Sequence, residues 1–133
     1  MSASITEVSQ KGIEAWNNHD AEAIASTGGP NGVMFDPAVG EIRGAEALKE
    51  NAALYLNAFP DLSIEVTSEF VTGNTICQEW TSRGTHQGEL MGLAPTGKHV
   101  EVHGCNIATM DDTGSVELHR YWNPGELLAQ IQG

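Results

Sequence analysis

Basic residues are scarce in this chain: lysine and arginine total 6 against 18 aspartates and glutamates, a formal net charge of −12. Neither a phosphate backbone nor an anionic lipid surface attracts such a molecule, so nucleic-acid and membrane partners are set aside. Cysteine is scarce too. Cys77 and Cys105 show no CxxC spacing and read as small apolar residues kept reduced in a cytoplasm. No apolar run approaches the ~20 residues that cross a bilayer, and Met1-Ser2-Ala3-Ser4 starts no signal peptide. Repeats, low-complexity tracts, linkers, glycine-rich phosphate loops and GxSxG nucleophile elbows are missing as well. The expectation is one cytoplasmic domain over residues 1–133, able to bury roughly two-thirds of the surface of its unfolded chain.

What is present is clear periodicity. Ile5, Val8, Gly12, Ile13 and Trp16 recur at helical spacing, which predicts a helix over residues 5–18. Asn17-Asn18-His19-Asp20 breaks it, and Asp20 can cap a short second helix through Ser26. After the loop 27–32 come small strands at Val33–Phe35 and 41–44, then a helix over 45–58 with Ala47, Leu48, Ala52, Leu54 and Leu56 as apolar positions. The second half reads as strands: Leu62, Ile64 and Val66 alternate, residues 75–85 and 98–110 are longer, and 115–122 complete a meander. Gly88, Gly92, Pro95 and Gly97 punctuate the long connection between Thr85 and Lys98. Pro124 suits the first turn of a closing helix. Helices followed by antiparallel strands define an α+β fold with helices on one sheet face.

Strand alternation converts this pattern into faces. A hairpin turn over residues 111–114 is expected to pair Met110 with Ser115, Ala108 with Glu117, Asn106 with His119 and Gly104 with Tyr121. That register gathers Asn106, Glu117, His119 and Tyr121 beside the small residues Gly104 and Ala108, leaving room for a ligand. It turns Leu118, Arg120 and Trp122 to the other face. On the preceding strand Gln78, Trp80 and Ser82 would share the ligand face, with Trp80 as a wall for a flat molecule. Asp36 precedes Pro37, which holds it extended and can aim its carboxylate at the mouth of a cavity or start an Asx turn. His99 and His103 share a strand face but stand roughly 13 Å apart, too far for one zinc ion, so no metal site is expected. Cys105, Ile107 and Trp122 would form an apolar outer face, which points to a homodimer through the sheet.

Thr85-His86-Gln87-Gly88-Glu89 followed by Pro95-Thr96-Gly97-Lys98 resembles the GTHxGE…PTGR signature of the SnoaL-like polyketide cyclase family, with lysine where arginine is usual. The resemblance extends to Ala15–Asp20, Phe59–Leu62 and Gly114–Gln130. It implies the cone-shaped nuclear transport factor 2-like fold, a curved antiparallel sheet wrapped around N-terminal helices and enclosing one pocket. Cyclases of the family close a ring by an intramolecular aldol step, using an aspartate on the last strand and a histidine on the strand before it. Here Tyr121 stands in the aspartate's place and Ala108 in the histidine's, so that acid–base pair does not transfer. The resemblance also makes Asp36, before its proline, a candidate near the pocket.

The expected function is enolisation chemistry on a polyketide-like or other apolar carbonyl compound, of the cyclase, isomerase or dehydratase (lyase) type, without cofactor. His119 is the candidate base, Tyr121 the candidate donor to the oxyanion, and Asp36 an orienting or catalytic carboxylate. Asn106, Trp80, Gly104 and Glu117 are the candidate substrate-binding set. The alternatives are a pocket protein that binds a flat apolar or aromatic molecule without turnover, and an assembly domain whose pocket is vestigial.

Overall fold

The computed structural model describes residues 4–133. The chain runs α1 (Ile5–Asn17), α2 (Ala21–Ser26), β1 (Val33–Asp36), β2 (Gly40–Arg43) and α3 (Ala45–Ala58). It continues through β3 (Ser63–Thr72), β4 (Thr75–Thr85), β5 (His99–Met110), β6 (Val116–Trp122) and α4 (Pro124–Gln132). Helix starts fall where side chains can accept free amide N–H groups. Ser4 accepts from Glu7 at 3.2 Å, Asp20 from Ala23 at 3.0 Å, and Asn123 from Gly125 at 2.9 Å ahead of Pro124.

The strands form one curved sheet in the order β2-β1-β6-β5-β4-β3. Its seams are antiparallel except that β1 and β6 run parallel. The curved antiparallel sheet expected from the sequence is present, and it carries one parallel seam: β6 is joined to β5 by a hairpin, but meets β1 only as a distant neighbour. The core fills the hollow between helices and sheet, with Trp16, Tyr55, Phe59, Trp80, Val102 and Leu127 among its buried members. The buried face of α3 is Asn51, Ala52, Tyr55 and Ala58, a helical i, i+4, i+7 stripe. Of the apolar positions named from the sequence, Ala52 is buried and Leu54 is exposed, while Tyr55 takes an inward position.

The register of the last hairpin is the consequential correction. Asp111 Oδ1 accepts the N–H groups of Thr113 and Ser115 and the Thr113 hydroxyl, at 2.9, 3.0 and 2.6 Å. The Ser115 hydroxyl accepts the Asn31 N–H at 2.9 Å. These bonds draw Ser115 into the loop, and Asp111 N–H bonds the Ser115 carbonyl across it. Pairing therefore starts one residue later than expected: Met110 faces Val116, Ala108 faces Leu118, Asn106 faces Arg120 and Gly104 faces Trp122. A one-residue shift exchanges the faces of a strand. Arg120 and Trp122 turn into the hollow, while Glu117, His119 and Tyr121 turn outward. The outer apolar set accordingly includes Ile107 and Tyr121, not Trp122.

Two carboxylates stabilise exposed turns, and both titrate low. Asp61 accepts the backbone N–H and hydroxyl of Thr85, each at 2.7 Å, and these bonds hold its carboxyl below the ordinary 3.8. The Thr113 hydroxyl, then the Ser115 and Thr113 N–H groups, do the same for Asp111. A depressed carboxyl contributes stability above its unfolded value and loses it as pH falls through the folded one. Thermal stability should thus decline on acidification below about pH 4. The doubly substituted Asp61→Asn/Asp111→Asn protein should show a shallower decline; an unchanged acid slope would remove these bonds from the explanation.

Candidate active site

A cavity of about 690 Å³, its open mouth included, lies between α1, α3, α4 and the concave face of the sheet. Its walls are mostly apolar, with Trp16, Phe59, Trp80 and Val100 prominent. Ser82 and Arg83 of β4 are polar members of the lining, and three further polar side chains are Tyr55 from α3, Asn106 from β5 and Arg120 from β6. All three arrive by periodicity: Asn106 and Arg120 are partners across the β5–β6 seam, and Tyr55 is on the buried stripe of α3.

Asp36 anchors the group. Its side chain is fully buried, and Oδ2 accepts Arg120 Nη1–H at 3.0 Å and Trp122 Nε1–H at 3.4 Å. Oδ1 accepts the Ala38 N–H at 2.8 Å. The Asp-Pro step thus both starts a turn and holds the arginine. The Arg120 guanidinium lies 5.5 Å from the Trp16 ring centre, a cation–π arrangement. Trp122 meets Tyr55 edge to face at 6.1 Å. The Tyr55 hydroxyl feels the Asp36 charge without a well-formed hydrogen bond. Burial first, and that charge second, push its ionisation above the ordinary tyrosine range, so it remains a hydroxyl. Asn106 Oδ1 accepts Trp80 Nε1–H at 3.0 Å. Beyond Trp16 and Arg120 a second compartment opens, where the buried carboxamide of Asn51 has no hydrogen-bond partner.

Of the residues singled out from sequence, Trp80 and Asn106 line the cavity, and Gly104 lies beneath the Trp80 ring. Asp36 stands behind the cavity wall, occupied by its partners. His119, Tyr121 and Glu117 are not brought to it. His119 stacks on Phe35 with centroids 4.5 Å apart and lies beside Tyr121, and its Nε2 bonds Glu117 at 3.0 Å on the outer face. The reason is the hairpin register. Arg120 and Trp122 were missed for the same cause, and Tyr55 because the apolar positions of α3 do not by themselves reveal its inward stripe. Their signals were a long basic side chain in a chain poor in them, and the i+4 relation of Tyr55 to Asn51. Among the described residues no three of His, Cys, Asp and Glu gather as metal ligands, and no helix is long and apolar enough to cross a membrane.

Fold and cavity together define a pocket protein of the SnoaL-like, nuclear transport factor 2-like class. The model of the SnoaL-like polyketide cyclase family matches residues 6–131, and the chain belongs to that family. Among proteins of curated function none matches this sequence. Solved structures are similar over nearly the whole chain. AclR, a candidate hydroxylase from Streptomyces galilaeus, is 28% identical with a TM-score of 0.83, over 96% of this chain and 95% of that one. IdmH, a candidate polyketide cyclase from Streptomyces antibioticus, is 24% identical with a TM-score of 0.79, over 98% and 100%. A candidate SnoaL-like cyclase from Jannaschia sp. CCS1 shares the fold at 16% identity and TM-score 0.83, over 97% and 92%.

Removing one member of a buried ion pair strands the other. Asp36→Ala should destabilise the protein by about 3–5 kcal/mol in urea unfolding, and adding Arg120→Met should recover a substantial part. A cost for the single change below about 1 kcal/mol would mean that the pair is not buried as described.

Proposed function

We propose that this protein binds a flat, largely apolar carbonyl compound and stabilises its enolate or phenolate, as an enzyme of the cyclase, isomerase or dehydratase type. The observation that supports this is the polarity of the inner wall. Arginine has no acceptor, the Tyr55 hydroxyl is kept protonated, and the carbonyl of Asn106 is taken by Trp80. The Asp36 carboxylate is spent on Arg120, Trp122 and Ala38. Donors therefore line the cavity while the Asp36 carboxylate and the Asn106 carbonyl already accept from other groups, an arrangement suited to oxygen that gains negative charge.

In this reading Arg120 carries the charge complement, Tyr55 and Asn106 donate to the oxygen, and Trp16 and Trp80 hold the flat body of the substrate. Asp36 acts by fixing Arg120 and Trp122. A carbon between two carbonyls, as in a polyketide-like chain, is acidic enough to give its proton to solvent water at the open mouth of the cavity, so a wall of donors suits such a substrate.

The test uses 4-nitrophenol as a spectroscopic probe. Bound to the wild type it should ionise at lower pH than in water, and the doubly substituted Asp36→Ala/Arg120→Met protein, in which no charge is stranded, should lose that shift. Ionisation at higher pH when bound would be the desolvation signature of a merely apolar binding pocket and would replace the enzyme reading. Deuterium exchange at the central carbon of a cyclic 1,3-diketone reads the chemistry itself. Tyr55→Phe should slow it by about a hundredfold or more.

A further inference from the structure

Trp80 does more than line the cavity. Its Nε1–H points at Asn106 Oδ1 at 3.0 Å, and the indole N–H can only donate. A carboxamide can meet it only with its oxygen, so the amide has one orientation and its NH₂ group is turned away from the indole. Both side chains line the same cavity, and Trp80 is buried to 7% exposure. The seat of the indole is equally restricted. A Cβ on Gly104 would stand 2.4 and 2.6 Å from Trp80 Cζ2 and Cη2, and 2.8 Å from the Tyr121 carbonyl oxygen. The backbone of Gly104 does not have a positive φ, so the position needs glycine for space alone.

We infer that Trp80, seated on Gly104, is a positioning residue that locks the Asn106 carboxamide as a donor and thereby makes the cavity select acceptor oxygens over donor groups of the same shape. This deepens the oxyanion reading above and rests on it: without the lock, Asn106 is free to turn and present its carbonyl to an N–H or O–H group. The lock sets the sign of recognition at one corner of the cavity. Arg120 and Tyr55 contribute charge and a hydroxyl there but have no choice of orientation comparable to an amide's.

Two flat tricyclic probes of nearly equal shape isolate the effect: 9-fluorenone, which presents only an acceptor, and carbazole, which presents only an N–H donor. The wild type should bind fluorenone more tightly, because carbazole leaves donors facing a donor. Trp80→Phe keeps a ring but removes the N–H, and should lower the fluorenone-to-carbazole affinity ratio by about fivefold to tenfold. Gly104→Ala keeps the N–H but displaces the ring, and should lower the ratio in the same direction. A merely structural role for Trp80 would weaken both probes alike and leave the ratio unchanged, which would overturn the inference. A wild-type ratio at or below one would overturn it as well. A ligand-free arm stands apart from the pocket reading. The Trp80 indole proton, assigned by its disappearance in Trp80→Phe, should move upfield and exchange faster in Asn106→Leu. An indole resonance unmoved by that change would refute the lock. If neither tricycle binds the wild type while the indole proton responds as expected, the oxyanion-site reading fails and the Trp80–Asn106 bond stands.

Discussion

The Asp111–Ser115 loop decides which side of β6 faces the interior. By taking Ser115 out of the strand, Asp111 starts pairing at Val116, and alternation carries the consequence to Arg120 and Trp122. A loop one residue shorter would place His119 and Tyr121 in the hollow and expel the arginine. The chemistry of the cavity is therefore fixed by hydrogen bonds to a single carboxylate at the far end of the hairpin, on the exposed surface. The Ser115 hydroxyl ties the same loop to Asn31, so the turn is held from two sides.

Once Arg120 points inward, it needs an anion. Asp36 supplies one from β1, the strand that runs parallel to β6, and the pair is shielded on both members, with side-chain exposures of 11% and 0%. A buried ion pair is weak evidence for stability, since two desolvated charges can cost as much as their attraction returns. Its presence makes better sense as the means of holding a guanidinium and an indole N–H in fixed places beside a cavity. Tyr55, buried and protonated, and Asn106, oriented by Trp80, extend the same polarity around the wall.

Much of the architecture is legible in the sequence because it rests on local signals. The cap Asp20, Pro124, the Asp36-Pro37 step and the alternation through Gln78, Trp80 and Ser82 each act within a few residues of themselves. Asn106 and Trp80 follow from that alternation. The parity of β6 does not, because Asp-Asp-Thr-Gly is compatible with a four-residue turn and with a loop that takes in the next serine. Asn31, which comes from 84 residues earlier, helps to hold the longer loop, and a local pattern cannot contain that contact. Leu54 is similarly misleading. A leucine reads as core, yet the i, i+4 stripe through Asn51 and Tyr55 governs the face that is buried. A buried asparagine and tyrosine are less apolar than the leucine they displace, and such exceptions gather where a cavity needs polar groups.

The central claim is that the cavity holds an oxyanion on Tyr55, Asn106 and Arg120. A crystal structure of the protein soaked with a nitrophenolate tests it most directly. The account predicts the phenolate oxygen within about 3 Å of donors from at least two of those side chains, with the ring against Trp16 or Trp80. A phenolate lodged on the outer face beside His119 and Tyr121, or one in the cavity with its oxygen turned to the solvent, would contradict it.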